Sequence, residues 1–141
     1  VNLNSISIDT FNNNHIFISS FHGGLLEIID SEAVNLLDNT NSPLESLDIF
    51  GSNYTSVRIS DTEFDDSGGL WILNSRVDNP LKSFNPNSGQ WRSYDFTDII
   101  PDGLNDELGF SDIEIGQLGN KWIGGLRSGL IGFNENSGPQ L

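Results

Sequence analysis

Asp65-Asp66-Ser67-Gly68-Gly69-Leu70-Trp71-Ile72-Leu73, and after it Pro80-Leu81-Lys82-Ser83-Phe84-Asn85, decide how this chain reads. A polar, glycine-rich turn opens onto a short apolar strand with a large aromatic near its start. A second strand then carries a leucine and, three residues on, another aromatic. Upstream the pattern is His15-Ile16-Phe17-Ile18-Ser19 with Gly24-Leu25-Leu26-Glu27-Ile28. Downstream it is Asn120-Lys121-Trp122-Ile123-Gly124 with Gly129-Leu130-Ile131-Gly132-Phe133-Asn134. The aromatic recurs at 17, 71 and 122, and the anchor leucine follows at 25, 81 and 130. Three residues beyond each leucine stands Ile28, Phe84 or Phe133. Fixed offsets repeated three times mark an internal repeat, and a repeat decides the architecture before any single element does.

Each unit also has an alternating stretch ahead of its aromatic: Ser5-Ile6-Ser7-Ile8, Ser56-Val57-Arg58-Ile59 and Ser111-Asp112-Ile113-Glu114-Ile115. Alternation with period two suits a strand with one buried face. Asn12-Asn13-Asn14, Asp66-Ser67-Gly68-Gly69 and Gly119-Asn120 separate the two strands. Such residues take positive φ cheaply and make hairpin turns. A fourth strand is read at Ala33-Val34-Asn35-Leu36-Leu37 and at Trp91-Arg92-Ser93-Tyr94, and none is read after Phe133. Each unit is thus expected to be an up-and-down, four-stranded antiparallel sheet.

One such sheet cannot cover both of its faces, whereas sheets stacked radially bury them against one another. The fold class expected is all-β: a partial β-propeller of three blades, at about 1–38, 55–95 and 109–141, the last incomplete. Phe17, Leu25, Ile28, Trp71, Leu81, Phe84, Trp122, Leu130 and Phe133 are expected to be the inter-blade core. A propeller closes with about four blades or more, and the chain lacks methionine. The expectation is a fragment of a larger propeller, with the remaining blades of the parent as partners.

The unit resembles the two-component regulator propeller repeat, whose core runs roughly Asp-x-x-Gly-x-Leu-Trp-Ile-Gly-Thr, then Gly-Leu, then Phe-Asp. Asp65 to Ile72 match it best, and Lys121-Trp122-Ile123-Gly124-Gly125 with Gly129 to Asn134 follow. The first unit departs most, with Phe17 for the tryptophan and Phe11 for the turn-entry aspartate. Gly23 to Ile28, Leu36 to Ser42, Leu70 to Arg76 and Gly129 to Asn136 resemble more narrowly the β-propeller protein family of the Bacteroidetes type IX secretion system. That resemblance implies two propellers followed by a small β-domain. It also implies export to the periplasm or outer-membrane surface, within the complex that attaches cargo to anionic lipopolysaccharide.

Twenty acidic residues against six basic ones leave a net charge of −14, which repels phosphate backbones and bare anionic lipid. Nucleic acid is therefore not an expected partner. Cysteine is absent, so thiolate metal sites and disulfides are excluded. Apolar runs are far too short for a spanning helix.

Catalysis finds no foothold: no Gly-x-Ser-x-Gly elbow exists, and no nucleophile, base and acid converge in the pattern. His15 and His22 flank one strand without metal-ligand spacing, so neither a metal nor a cofactor is expected. Asp61, Glu63, Asp65 and Asp66 suggest a calcium loop, but the sixth and twelfth positions are Asp66 and Ile72 where such a loop needs Gly and Glu. They read as a solvated turn. A looser calcium site on Asp102-Gly103-Leu104-Asn105-Asp106-Glu107 stays open.

Function is expected on loops. One face of a propeller collects the links between blades and the second-to-third strand loops. The links, Asp38 to Tyr54 and Asp95 to Gly109, are long. Arg76 and Arg127 occupy equivalent second-to-third loops, and Phe21 and His22 the corresponding one in the first unit. Guanidinium forks suit anionic or hydroxyl-rich ligands, though offsetting nearby Asp78, Asp102 or Asp106 is the more ordinary role for both arginines. The reading is a non-catalytic scaffold and recognition module binding a secretion-system protein or an anionic glycan such as lipopolysaccharide. Its rivals are the sensor propeller of a hybrid two-component histidine kinase, binding an oligosaccharide, and a propeller enzyme of lyase or lactonase type.

Overall fold

The structure is a computed structural model and describes residues 2–47, 53–100 and 109–141. Twelve strands form three four-stranded antiparallel sheets among these residues, each ordered as its strands run in sequence. The first holds β1 (Leu3–Ile8), β2 (His15–Ser20), β3 (Gly24–Ile29) and β4 (Glu32–Leu37). The second holds β5 (Ile59–Phe64), β6 (Leu70–Asn74), β7 (Leu81–Asn85) and β8 (Gln90–Tyr94). The third holds β9 (Phe110–Ile115), β10 (Lys121–Gly125), β11 (Gly129–Asn134) and β12 (Gly138–Gln140).

The three sheets share one register. Ser7, Glu63 and Glu114 face Phe17, Trp71 and Trp122 across the first hairpin, and Ile6, Thr62 and Ile113 face Ile18, Ile72 and Ile123. Period-two geometry then puts the large aromatic and the anchor leucine on one face of every sheet, and the residue three beyond the leucine on the other. Phe17 and Leu25 pack forward onto Val57, Ile59, Leu70 and Ile72 of the second unit. Trp71 and Leu81 pack forward onto Ile113, Ile123, Ile131 and Phe133 of the third. Backward-facing Phe84 meets Phe17 edge-on at 6.1 Å, and Phe133 lies 6.0 Å from Trp71. Lys121 comes from the same backward face and sets its ammonium 3.7 Å from the Trp71 ring centre, a cation–π contact strengthened by burial.

Four expectations need correction. Trp122 and Leu130 are not core: they are 48 % and 63 % exposed, against 2 % for Trp71 and 0 % for Leu81. They occupy the same positions as their buried counterparts, but no described sheet faces them. Ile28 is only half-buried, on the backward face of the first sheet. The third unit does have its outer strand, the three-residue β12, whose Pro139 pairs with Phe133. Proline on an edge strand gives up no ladder bond to a further strand. The innermost strand of the second unit is β5, which takes only Ile59 from the expected Ser56 to Ile59. Ser56-Val57-Arg58 instead forms a joint to the first sheet, with a parallel bridge between Val57 and Gly23.

The turn motif has a plain physical basis. The Asp65 carboxylate accepts the N–H groups of Ser67 and Gly69 (both 2.9 Å), the Ser67 hydroxyl (2.6 Å) and the Trp71 indole N–H (2.8 Å). One side chain therefore closes the hairpin and fixes the buried indole. In the first unit that place belongs to Asp9, not Phe11: Asp9 accepts the Phe11 N–H at 2.9 Å, in a turn two residues longer. In the third unit it is Gly116.

Candidate binding face

Three loops join second to third strands: residues 21–23, 75–80 and 126–128. All lie at the end of the sheets where the inner strands begin, since Leu3 pairs with Ser20, Ile59 with Asn74 and Phe110 with Gly125. Backbone bonds weld these loops to the incoming strands. Val57 N–H donates to His22 O (3.1 Å), Gly24 N–H to Val57 O (3.1 Å), Ser75 N–H to Arg58 O (2.8 Å) and Leu126 N–H to Gly109 O (2.9 Å). The Ser75 hydroxyl also accepts Phe110 N–H at 3.1 Å, across from the second sheet to the third. Such a face is held rigid by the sheets beneath it.

Glu45, in the described part of the first link, is anchored just as firmly. The Asn74 amide oxygen accepts the Glu45 N–H at 2.6 Å, and its NH₂ donates to Glu45 O and Arg58 O at 3.1 and 3.3 Å. Glu45 pairs with Lys82, whose side chain is 1 % exposed and also donates to Asn79 O at 2.7 Å. Burial draws the Lys82 pKa below the usual lysine range, and the Glu45 carboxylate opposes that shift.

The predicted residues fall on this face one unit at a time. Phe21 and His22 meet edge to face at 5.4 Å, and His22 Nδ1 lies 2.9 Å from Ser56 Oγ. Arg76 sits at the head of the second loop with φ of 64°, and Arg127 is exposed in the third. Sequence reading missed Arg58, whose guanidinium lies 5.2 Å above the Phe21 ring centre and whose Nε donates to Ser56 Oγ at 3.3 Å. Its signal was its place beside an inter-sheet joint. An open depression of about 370 Å³ beside it is lined by Asn2, Ser20, His22 and Gly23. Of the six basic residues, Lys82 and Lys121 are buried and Arg92 lies on β8. Arg58, Arg76 and Arg127, the other three, all lie at this end.

Other candidates take structural roles. His15 is buried, with Nε2 2.7 Å from Glu27 and Nδ1 3.5 Å from Asp9. Asp61 and Glu63 are not a solvated turn but belong to β5, and their carboxylates accept Ile113 N–H (3.0 Å) and Ile115 N–H (2.9 Å) of the next inner strand. Burial, then the nearby Glu114 carboxylate, raises the Glu63 pKa above the usual glutamate range. The loop Asp102 to Glu107 lies outside the described residues.

No protein-family model matches the chain, and no curated protein matches it. Solved structures do. PorZ, a surface component of the type-IX secretion system of Porphyromonas gingivalis, superimposes on 94 % of the chain with a TM-score of 0.77 at 21 % identity. The extracellular domain of the putative hybrid two component system BT4673 of B. thetaiotaomicron superimposes on 98 %, with a TM-score of 0.65 at 18 % identity. That of BT3049 from the same organism superimposes on 96 %, with a TM-score of 0.64 at 14 % identity. The chain is a run of β-propeller blades. At these identities the likeness speaks for the fold, and the chain spans only 17 %, 17 % and 16 % of the three structures. Each four-stranded sheet is thus a blade, with β1, β5 and β9 innermost, and no described helix is long and apolar enough to cross a membrane.

Proposed function

We propose that the chain is a non-catalytic recognition and scaffold segment of a larger, exported β-propeller protein, acting at the periplasm or cell surface in a type IX secretion apparatus. Its loop face, with Phe21, His22, Arg58, Arg76 and Arg127, engages an anionic glycan of the lipopolysaccharide kind or an acidic protein partner. The observation that carries this reading is the gathering of three of six basic residues on one rigid, loop-bearing end of a chain of charge −14. Such local concentration against the global field favours an anionic group held by guanidinium forks. PorZ, with the higher TM-score of the three, supports the secretion setting.

The test is binding of purified lipopolysaccharide and of neutral oligosaccharides to the chain, by calorimetry. Arg76→Ala with Arg127→Ala is expected to weaken the anionic ligand at least tenfold without shifting the melting temperature. Unchanged affinity for anionic glycan and for acidic protein would overturn the assignment. The second reading is the oligosaccharide-binding sensor propeller of a two-component system, favoured by the nearly complete overlay on BT4673. Tight binding of a neutral oligosaccharide, insensitive to those arginines, would select it.

A further inference from the structure

Two joints between successive blades form among the described residues, the first through the Ser7 hydroxyl on Thr62 O (2.6 Å) and the second through carboxylates. The forward parts of the second recur on the third blade without a described counterpart. In the joint from the second blade to the third, β5 sends Asp61 and Glu63 forward to accept the N–H groups of Ile113 and Ile115 on β9. Those N–H groups lie on the open edge of an inner strand, where unpaired backbone donors are a liability. The shared register makes Asp112 the equivalent of Asp61 and Glu114 the equivalent of Glu63. Both are exposed on β9. Behind them on the same face stand Trp122 and Leu130, in the places of Trp71 and Leu81. Gly132 lies directly under the indole, where a Cβ would sit 3.2 Å from Cζ3. The third blade therefore repeats the carboxylate pair, the tryptophan and the leucine from the forward half of a joint whose completed version buries its tryptophan.

We propose that the forward face of β9–β12 docks a further four-stranded blade of the same polypeptide, whose innermost strand donates two backbone N–H groups to Asp112 and Glu114. The proposal rests on the reading of the chain as part of a larger propeller, and it names the residues that make the joint. The occupant follows from continuity with the joint already formed. Its inner strand must present two N–H groups two residues apart, as Ile113 and Ile115 do. Its facing row must be aliphatic or aromatic, as Ile123, Ile131 and Phe133 are. An anionic glycan fits this face poorly, because two carboxylates flank the aromatic platform and repel its charge.

The experiment compares the 141-residue chain with the longer gene product that contains it. Tryptophan is replaced by 5-fluorotryptophan, the Trp122 signal is assigned by Trp122→Phe, and its fluorine shift is measured in H₂O and D₂O. A solvent isotope shift is expected in the 141-residue chain and its loss in the longer protein. In the longer protein, Asp112→Ala with Glu114→Ala is expected to speed exchange of two inner-strand amides of the following blade at least tenfold. The same pair in the 141-residue chain leaves the exchange of Ile113 and Ile115 unchanged. A Trp122 signal that stays solvent-sensitive in the longer protein overturns the proposal, and so does unaltered amide exchange. Concentration-dependent burial of Trp122 in the 141-residue chain, retained in the longer protein as a dimer, assigns the face to a second copy and also overturns it. Loss of glycan binding at the loop face alters none of these readouts, so the two readings fail separately.

Discussion

Asp65→Ala removes one side chain that four donors share, and the cost can be worked donor by donor. Ser67 is exposed, so its N–H and hydroxyl turn to water at little expense. The Gly69 N–H loses a charged acceptor at 2.9 Å in a half-buried turn, a loss of about 1 kcal/mol. The Trp71 indole N–H is the larger matter. Its ring is 2 % exposed, so the group is stranded away from solvent, which costs about 1–3 kcal/mol. The total is about 2–4 kcal/mol, a large share of the ~5–15 kcal/mol that holds an ordinary domain. Urea denaturation at pH 7 measures it as a fall in midpoint at constant slope. Trp71→Phe removes the donor, and the double variant should recover about 1–2 kcal/mol of coupling. Acid adds an independent check. Burial alone would raise the Asp65 pKa, but the bonds from Ser67, Trp71 and Gly69 outweigh it and hold the carboxyl below the usual aspartate range. A depressed folded pKa means the stabilisation is complete above the unfolded value of ~3.9 and disappears as pH falls through the folded one. The penalty of Asp65→Ala should shrink over that window. A penalty under about 1 kcal/mol at pH 7, or no coupling to Trp71, refutes the reasoning.

Three further outcomes are expected. Glu45→Ala leaves the Lys82 ammonium buried without its carboxylate and should cost about 3–5 kcal/mol, most of it regained in Glu45→Ala with Lys82→Met; equal midpoints for the single and double variants would contradict this. Gly24 has φ of +86° and a Cβ there would collide with the Leu37 carbonyl oxygen, whereas Gly89, at +72°, faces open space. Gly24→Ala should therefore exceed Gly89→Ala in cost by about 2 kcal/mol or more by thermal melting. Glu63, with its raised folded pKa, holds a proton more tightly in the folded state, so its contribution to stability falls as pH rises from the unfolded glutamate value upward. Glu63→Gln keeps an acceptor for Ile115 N–H, and its stability relative to the parent should rise between pH ~4.5 and 7; a relative fall over that range would count against the sign.

The repeat was legible because a blade must bury two faces, and this demand writes large apolar residues at constant offsets. Hence Phe17, Leu25, Trp71, Leu81 and Phe133 lie where their spacing puts them. The same rule could not reveal that Trp122 and Leu130 are exposed, because burial depends on a neighbouring sheet and not on the strand itself. β5 was misplaced because Asp61, Thr62 and Glu63 break the apolar alternation: Asp61 and Glu63 bond to the next inner strand, Thr62 bonds to Ser7 of the preceding one, and none needs a hydrophobic face. Asp9 was overlooked because its turn is longer by two residues. β12 was missed because Gly-Pro-Gln carries no strand propensity. On the loop face, Phe21, His22, Arg76 and Arg127 were found by topological equivalence. Arg58 became visible only when the inter-blade joint showed its guanidinium over Phe21.

The unlike faces of each blade give the stack a direction. At the joint from the second blade to the third, Trp71, Leu81 and two carboxylates lead, and Ile123, Ile131, Phe133 and a bare strand edge follow, so a third blade turned around would set Asp112 and Glu114 against Asp61 and Glu63. A stretch of gene copied in frame from one tryptophan to the next carries one forward and one backward face, the two halves that a seam needs. Such an array can lengthen or shorten by whole units while its loops diverge freely, and novelty in recognition need not wait on novelty in packing.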